Sequence, residues 1–266
     1  MAHLAELEAV RAEDARCGVV EQERGHELVR LLGDANGLPV PLIYRKAWGL
    51  LGFLAVESDR RHSRSMLAGL FWPGLGETSA LTNLRQVLSN LNRYCMKALG
   101  PDVLRIERGA VGLMRGERLL FDIDLLWRAP CRAMELLTEQ QRFLEGLDDL
   151  GGADFHGWLE TTRQNLDIQL VGAAQRCCDE LLEAQDWEQA VEVARTLTLR
   201  DPWNEAHARR MMRAHAGGGK RAAALNVYQR FETMLRVELG LEPGQETLQL
   251  LAQINAASLS PSSAHN

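Results

Sequence analysis

Sliding the C-terminal half of this 266-residue chain against itself by thirty-four places lays Ala190 on Ala224, Val191 on Leu225, Ala194 on Tyr228 and Leu197 on Phe231. A helix pair of such a period cannot bury its apolar face alone, so neighbouring pairs must stack. Small residues then sit where two antiparallel helices approach, and large ones fill the adjacent gap. Asp201-Pro202 divides two of the helices, because proline fits a first helical turn but not an interior. Apolar spacing predicts helices over Arg132–Leu147, His156–Ala184, Trp187–Arg200, Trp203–Ala216, Arg221–Leu239 and Gln245–Ala257. Asp148, Asp149, Gly151 and Gly152 mark a loop.

Thirty-four residues is the tetratricopeptide period, and the absence of a convincing strand in this half argues for a TPR-like all-α array. The N-terminal half reads differently. Between Arg45 and Ala98 lie three amphipathic helices separated by two short turns. The second, Arg64–Phe71, has Ser63 placed to cap it and Met66, Leu67, Leu70 and Phe71 turned inward; Pro73, Gly74 and Gly76 end it. In the third, Ser79–Cys95, the residues Leu84, Val87, Leu88, Leu91 and Cys95 recur on one face. The opposite face holds Thr82, Arg85, Gln86, Ser89, Asn90 and Arg93, side chains that bond base edges and phosphates. No acidic residue follows Glu77 in this helix, whereas a solvated helix usually mixes Glu with Lys for support. Taken alone it reads more simply as a solvated bundle face; its flanks favour DNA.

Val103–Glu107 and Val111–Met114 read as strands joined across Arg108, Gly109 and Ala110, with Arg108 at the hairpin tip. Leu119–Ile123 is a further strand-like run, and Glu27–Leu32 and Leu38–Ile43 flank an Asn36-Gly37 turn. Strands, then helices, then a hairpin is the order of a winged helix-turn-helix. The expected docking puts Ser79–Cys95 in a major groove, with Arg85, Gln86 and Ser89 nearest the bases and Thr82, Asn90 and Arg93 at base or backbone. Arg64 and Arg108 are expected on phosphates. From Leu38 to Arg118 there are twelve Lys plus Arg against six Asp plus Glu, a basic module inside a chain of net charge -6. Such a module meets the electrostatic requirement for phosphate binding.

Arg45-Lys46, LLGFLAV, Ser63-Arg64, LFWPG and NLRQVLSNLNR together resemble the DNA-binding domain of SARP-type transcriptional activators, an OmpR-like winged-helix family. Trp158-Leu159-Glu160 with Arg163, DWEQAVEVARTLTLRDPWNEAHARRMMRAHA and AALNVYQRFETMLRVELGLEPGQET resemble the bacterial transcriptional activator domain that follows it. The resemblance implies binding of double-stranded DNA as a homodimer on tandem sites and recruitment of RNA polymerase, with the turn from Trp72 to Thr78 as the polymerase contact. The fold class expected is therefore mainly α, a winged helix-turn-helix with small β-hairpins followed by a TPR-like array. The expected domains are an extension over residues 1–26, with Leu4, Leu7 and Val10 at helical spacing, a winged helix over 27–129, an array over 130–257 and a disordered tail over 258–266.

Two other readings compete: an interaction scaffold whose winged helix does not bind DNA, and a sensor whose array binds an anionic effector at Arg209, Arg210 and Arg213. No enzyme is expected. Gly217-Gly218-Gly219-Lys220 lacks the strand and the hydroxyl residue of a phosphate loop, which makes it a turn between repeat helices. His207 and His215, eight residues apart, are too far separated to share a metal, and no cofactor is called for. No apolar run approaches the ~20 residues of a membrane span, and the charged N-terminus is unlike a signal peptide. A cytoplasmic protein is expected, its cysteines Cys17, Cys95, Cys131, Cys177 and Cys178 reduced and mostly buried. The adjacent Cys177-Cys178 pair reads first as core filling and second as a redox sensor.

Overall fold

The computed structural model describes residues 31–32, 44–98, 101, 103–114, 120–131, 134 and 142–256. Contacts divide the chain into two compact units, Met1–Arg128 with Glu139–Asp167 and Ala129–Thr138 with Ile168–Asn266.

In the first unit, α1 (Arg45–Val56), α2 (Arg64–Phe71) and α3 (Glu77–Ala98) enclose one apolar core. Ser63 caps α2 as expected, its Oγ accepting from the Met66 amide at 3.2 Å. Met66 itself is exposed rather than inward, because the core face of α2 is taken by Leu67, Ala68 and Phe71. The wing hairpin forms from β3 (Leu104–Ile106) and β4 (Ala110–Leu113). A third strand, β2 (His62–Ser63), pairs with β4 on its other side, so the antiparallel order is β2-β4-β3. Gly112 on the central strand has a reason to be glycine: a Cβ there would stand 2.8 Å from the Arg60 carbonyl oxygen. A separate pair joins β1 (Leu31–Leu32) to β5 (Leu120–Phe121), and α4 (Asp122–Arg128) follows at once. The expected Asn36-Gly37 turn, the extension over 1–26 and the tail over 258–266 lie outside the described residues.

The helix expected over Arg132–Leu147 is corrected in its last part. Residues 143–150 are turns and a bend, with Leu144 and Gly146 at left-handed φ of 51° and 75°. The cause lies in α5 (Ala153–Glu183), which supplies Arg163. Its Nε donates to the Phe143 carbonyl at 2.9 Å and its Nη2 to the Leu144 carbonyl at 3.2 Å, taking acceptors that a helix would use internally. The folded-back segment then packs on α1. A Cβ on Gly49 would meet Leu150 at 2.6 Å and one on Gly52 would meet Leu144 at 2.8 Å, so the two glycines of the LLGFLAV region, one turn apart, make room for those leucines. Phe53, Phe71, Phe155 and Trp158 close the core, with ring centroids 4.8 Å apart for Phe53–Trp158 and 4.9 Å for Phe71–Phe155.

The second unit contains the end of α5, then α6 (Trp187–Arg200), α7 (Glu205–Gly217), α8 (Arg221–Met234) and α9 (Gln245–Ala256). α6 and α8 start and stop thirty-four residues apart, as the sequence shift requires, and Ala190 and Ala224 are both fully buried. The register then breaks. α8 runs into a π-helical turn, Leu235–Leu239, closed by Gly240 at φ 67°, which delays α9. Gly217 and Gly218 pack under Trp187, whose ring a Cβ on Gly217 would meet at 2.4 Å, and Gly219 takes a φ of 74°. That turn between repeat helices is what the glycine run is for.

Candidate nucleic-acid interface

On a helix that turns about 100° per residue, Thr82, Arg85, Gln86, Ser89 and Arg93 fall within an arc about 100° wide. All five are exposed. Leu84, Val87, Leu88, Leu91 and Cys95 are buried on the other side, and burial pushes the Cys95 thiol up to about 12, leaving it an inert core group. Asn90 is corrected: it stands beyond the edge of the arc, toward Val87 and Tyr94, and is only 5% exposed. Its Oδ1 has no partner among the described residues. Helix rotation explains the error, since an asparagine at the margin of the polar stripe can turn either way.

The wing tip lies against the start of α2. The Arg64 amide donates to the Gly109 carbonyl at 3.0 Å, and the Glu107 amide to the Ala110 carbonyl at 2.9 Å. Arg108 is thus held beside the N-terminus of α2, close to Arg64 in the fold. Arg64 is partly buried, with an Nε that has no partner among the described residues, while Arg108 is exposed. The cations of the unit separate into two groups. Arg60 pairs with Glu57 at 3.0 Å, Arg61 with Glu107 at 3.3 Å and Arg45 with Asp149 at 2.7 Å. Arg85, Arg93, Arg105 and Arg108 have no acidic partner among the described residues.

Two further exposed residues stand outside the expected set, Thr78 and Arg105. α3 begins at Glu77, two residues before the expected Ser79, and so carries exposed Thr78 at the start of the stripe, its carbonyl accepting from Thr82 Oγ1 at 2.9 Å. Arg105 is exposed on β3; its alternation with Leu104 within the hairpin was the available signal. The turn between α2 and α3 is shaped by Lys46, whose Nζ donates to the Phe71 carbonyl and sits 4.6 Å from the Trp72 ring centroid. Desolvation lowers its pKa. Arg45-Lys46 is therefore structural.

Residues 126–255 match the bacterial transcriptional activator domain family. The C-terminal half thus carries the likeness to a bacterial transcriptional activator domain. Over 251 residues the chain is 27% identical to the regulatory protein AfsR of Streptomyces griseus, covering 89% of this chain and 24% of that protein. It thus spans about a quarter of that relative's length. Among solved structures, Mycobacterium tuberculosis EmbR, determined in complex with a low-affinity phosphopeptide, superposes with a TM-score of 0.57 at 21% identity, covering 84% of this chain and 62% of that one. At that identity the likeness is one of fold, a winged helix followed by TPR-like helices.

Within this helical half the expected effector cluster of Arg209, Arg210 and Arg213 is not an open cationic site. Arg210 makes a two-pronged pair with Asp179 at 2.7 and 2.8 Å, and Arg209 bonds Glu246 at 2.7 Å and Thr247 at 3.2 Å. Both guanidiniums are spent holding α7 to α5 and α9, and only Arg213 is exposed. His207 is buried against Gln175 at 3.0 Å, and desolvation lowers its pKa. Among the described residues no group of three metal-binding side chains occurs, and no helix is long and apolar enough to cross a membrane.

Proposed function

We propose that the chain is a sequence-specific DNA-binding transcriptional activator whose α3 lies in the major groove. The observation that carries this is the exposed stripe of Thr82, Arg85, Gln86, Ser89 and Arg93, in a unit whose wing carries Arg105 and Arg108 without an acidic partner among the described residues. From Thr82 to Arg93 the stripe rises about 16 Å, enough to follow a groove about 12 Å wide. Arg85, Gln86 and Ser89 read bases; Thr82 and Arg93 touch base or backbone; Arg64 and Arg108 hold phosphates. Thr78 extends the stripe by one turn toward the start of α3, and Arg105 adds an exposed cation on β3. A homodimer on tandem sites about one helical turn apart fits this domain order, as does RNA polymerase meeting the exposed turn at Pro73–Gly76. The location expected for this activity is the cytoplasm.

Duplex titration at several salt concentrations is the test. Affinity should fall steeply with salt, because phosphate contacts release counterions. Arg85→Ala should cost about 1–3 kcal/mol on the specific site and relax preference at one base position. Arg108→Ala should weaken every sequence alike and flatten the salt slope by about one. A footprint that neither change alters would sink the docking.

A further inference from the structure

We infer that Cys131 and Cys177, both in the second unit, are a reversible thiol–disulfide pair, a site of oxidative modification by small-molecule disulfides. This inference does not depend on DNA binding. The two sulfurs are bonded, with Cα atoms 4.9 Å apart across a sequence separation of 46, which overturns the expectation that all the thiols are reduced. Cys131 follows the first passage of the chain out of the first unit, between Arg128 and Ala129. Cys177 sits on α5 after its residues have passed into the second unit at Ile168. The loop closed by the bond therefore contains the whole of Glu139–Asp167, the stretch that completes the first unit.

The two partners differ in access. Cys177 is 1% exposed and Cys131 only partly buried, so an incoming disulfide RSSR meets Cys131 first. Its thiolate attacks one sulfur and expels RS⁻; the Cys177 thiolate then attacks Cys131 Sγ and expels the second RS⁻. Two protein thiols are oxidised, RSSR is reduced, and the two released protons end on two RSH; a dithiol reverses the sequence. Cys178 does not compete, because adjacent helical residues do not share a face. It is fully buried, with Sγ 3.7 Å from the Ala190 carbonyl, and burial pushes its thiol up to about 11. The Glu180 carboxylate stands 3.9 Å from Cys131 Sγ. A negative charge there repels an anionic disulfide.

The test equilibrates the full chain with cystamine and cysteamine in varied ratio, traps free thiols with N-ethylmaleimide and maps the peptides. The expected result is one two-electron transition that joins Cys131 to Cys177, is retained by Cys178→Ser and is lost in Cys131→Ser. Cystamine should react faster than anionic glutathione disulfide, with the gap narrowed in Glu180→Gln. Reduction should lower Tm by about 5 °C or more. Pairing of Cys131 with Cys178, a mixed disulfide on Cys131 that Cys177 never resolves, or a bond that survives excess dithiothreitol in the folded protein would each overturn the inference. The wild-type titration decides the matter even where a cysteine variant fails to fold.

Discussion

Phe155→Ala is expected to cost about 3–5 kcal/mol, the range for emptying a buried aromatic site, and to lower Tm by about 10 °C. Phe155 is fully buried, with its ring 4.9 Å from Phe71 and 5.6 Å from Trp158. It belongs to α5, beyond the residues 27–129 that the sequence marks as a winged helix, yet it fills the core beneath α2. The loss should therefore appear in the melting of the first unit. Denaturant titration followed by the near-ultraviolet signal of the aromatic cluster checks it, and Phe155→Leu should recover most of the loss because volume is nearly kept. DNA affinity of the folded fraction should be unchanged, since no stripe residue is touched. A variant as stable as the parent would mean that α5 does not complete this core.

Arg163→Ala should rank next, at about 3 kcal/mol, because it leaves two buried carbonyls and a carboxylate without their donor. Arg163 has a side chain only 4% exposed and bonds Asp148 at 2.5 Å and Glu160 at 2.8 Å besides the carbonyls of Phe143 and Leu144. Its removal frees the turn that seats Leu144 and Leu150 on Gly52 and Gly49. The loss should depend on pH in a defined direction. The guanidinium beside Asp148 holds that carboxyl below its usual range, and that of Glu160 likewise. Such groups add stability above their unfolded pKa values and lose it as pH falls through the folded ones. The gap between wild type and Arg163→Ala is thus full at neutral pH and narrows below about pH 4, though the carbonyl part remains. Melting curves from pH 3 to pH 7 measure it. A constant gap would assign the whole effect to the carbonyl bonds.

Periodicity carried the parts of the fold that are local. Helix α2 occupies the residues expected, and α6 does too, because capping by Ser63 and Asp186 and the break at Asp201-Pro202 are written within a few residues of each terminus. The acid-free stripe of α3 was legible for the same reason. Asn90 was misread because a single position at a stripe's margin is assigned by neighbours on other elements. Arg209 and Arg210 looked like a ligand cluster because Asp179 and Glu246 lie 31 and 37 residues away along the chain. β2 was too short to give an alternation, and only its pairing with β4 reveals it.

By itself the sequence determined two helical periods, a basic polar ridge and the order of a winged helix before a repeat array, all of which are statements about spacing along the chain. Only the tertiary structure decided that residues 139–167 belong with the first unit, that Arg163 unwinds its target into a turn, and that Cys131 meets Cys177. Each of those depends on contacts between residues distant in sequence, where burial and pairing outweigh local propensity.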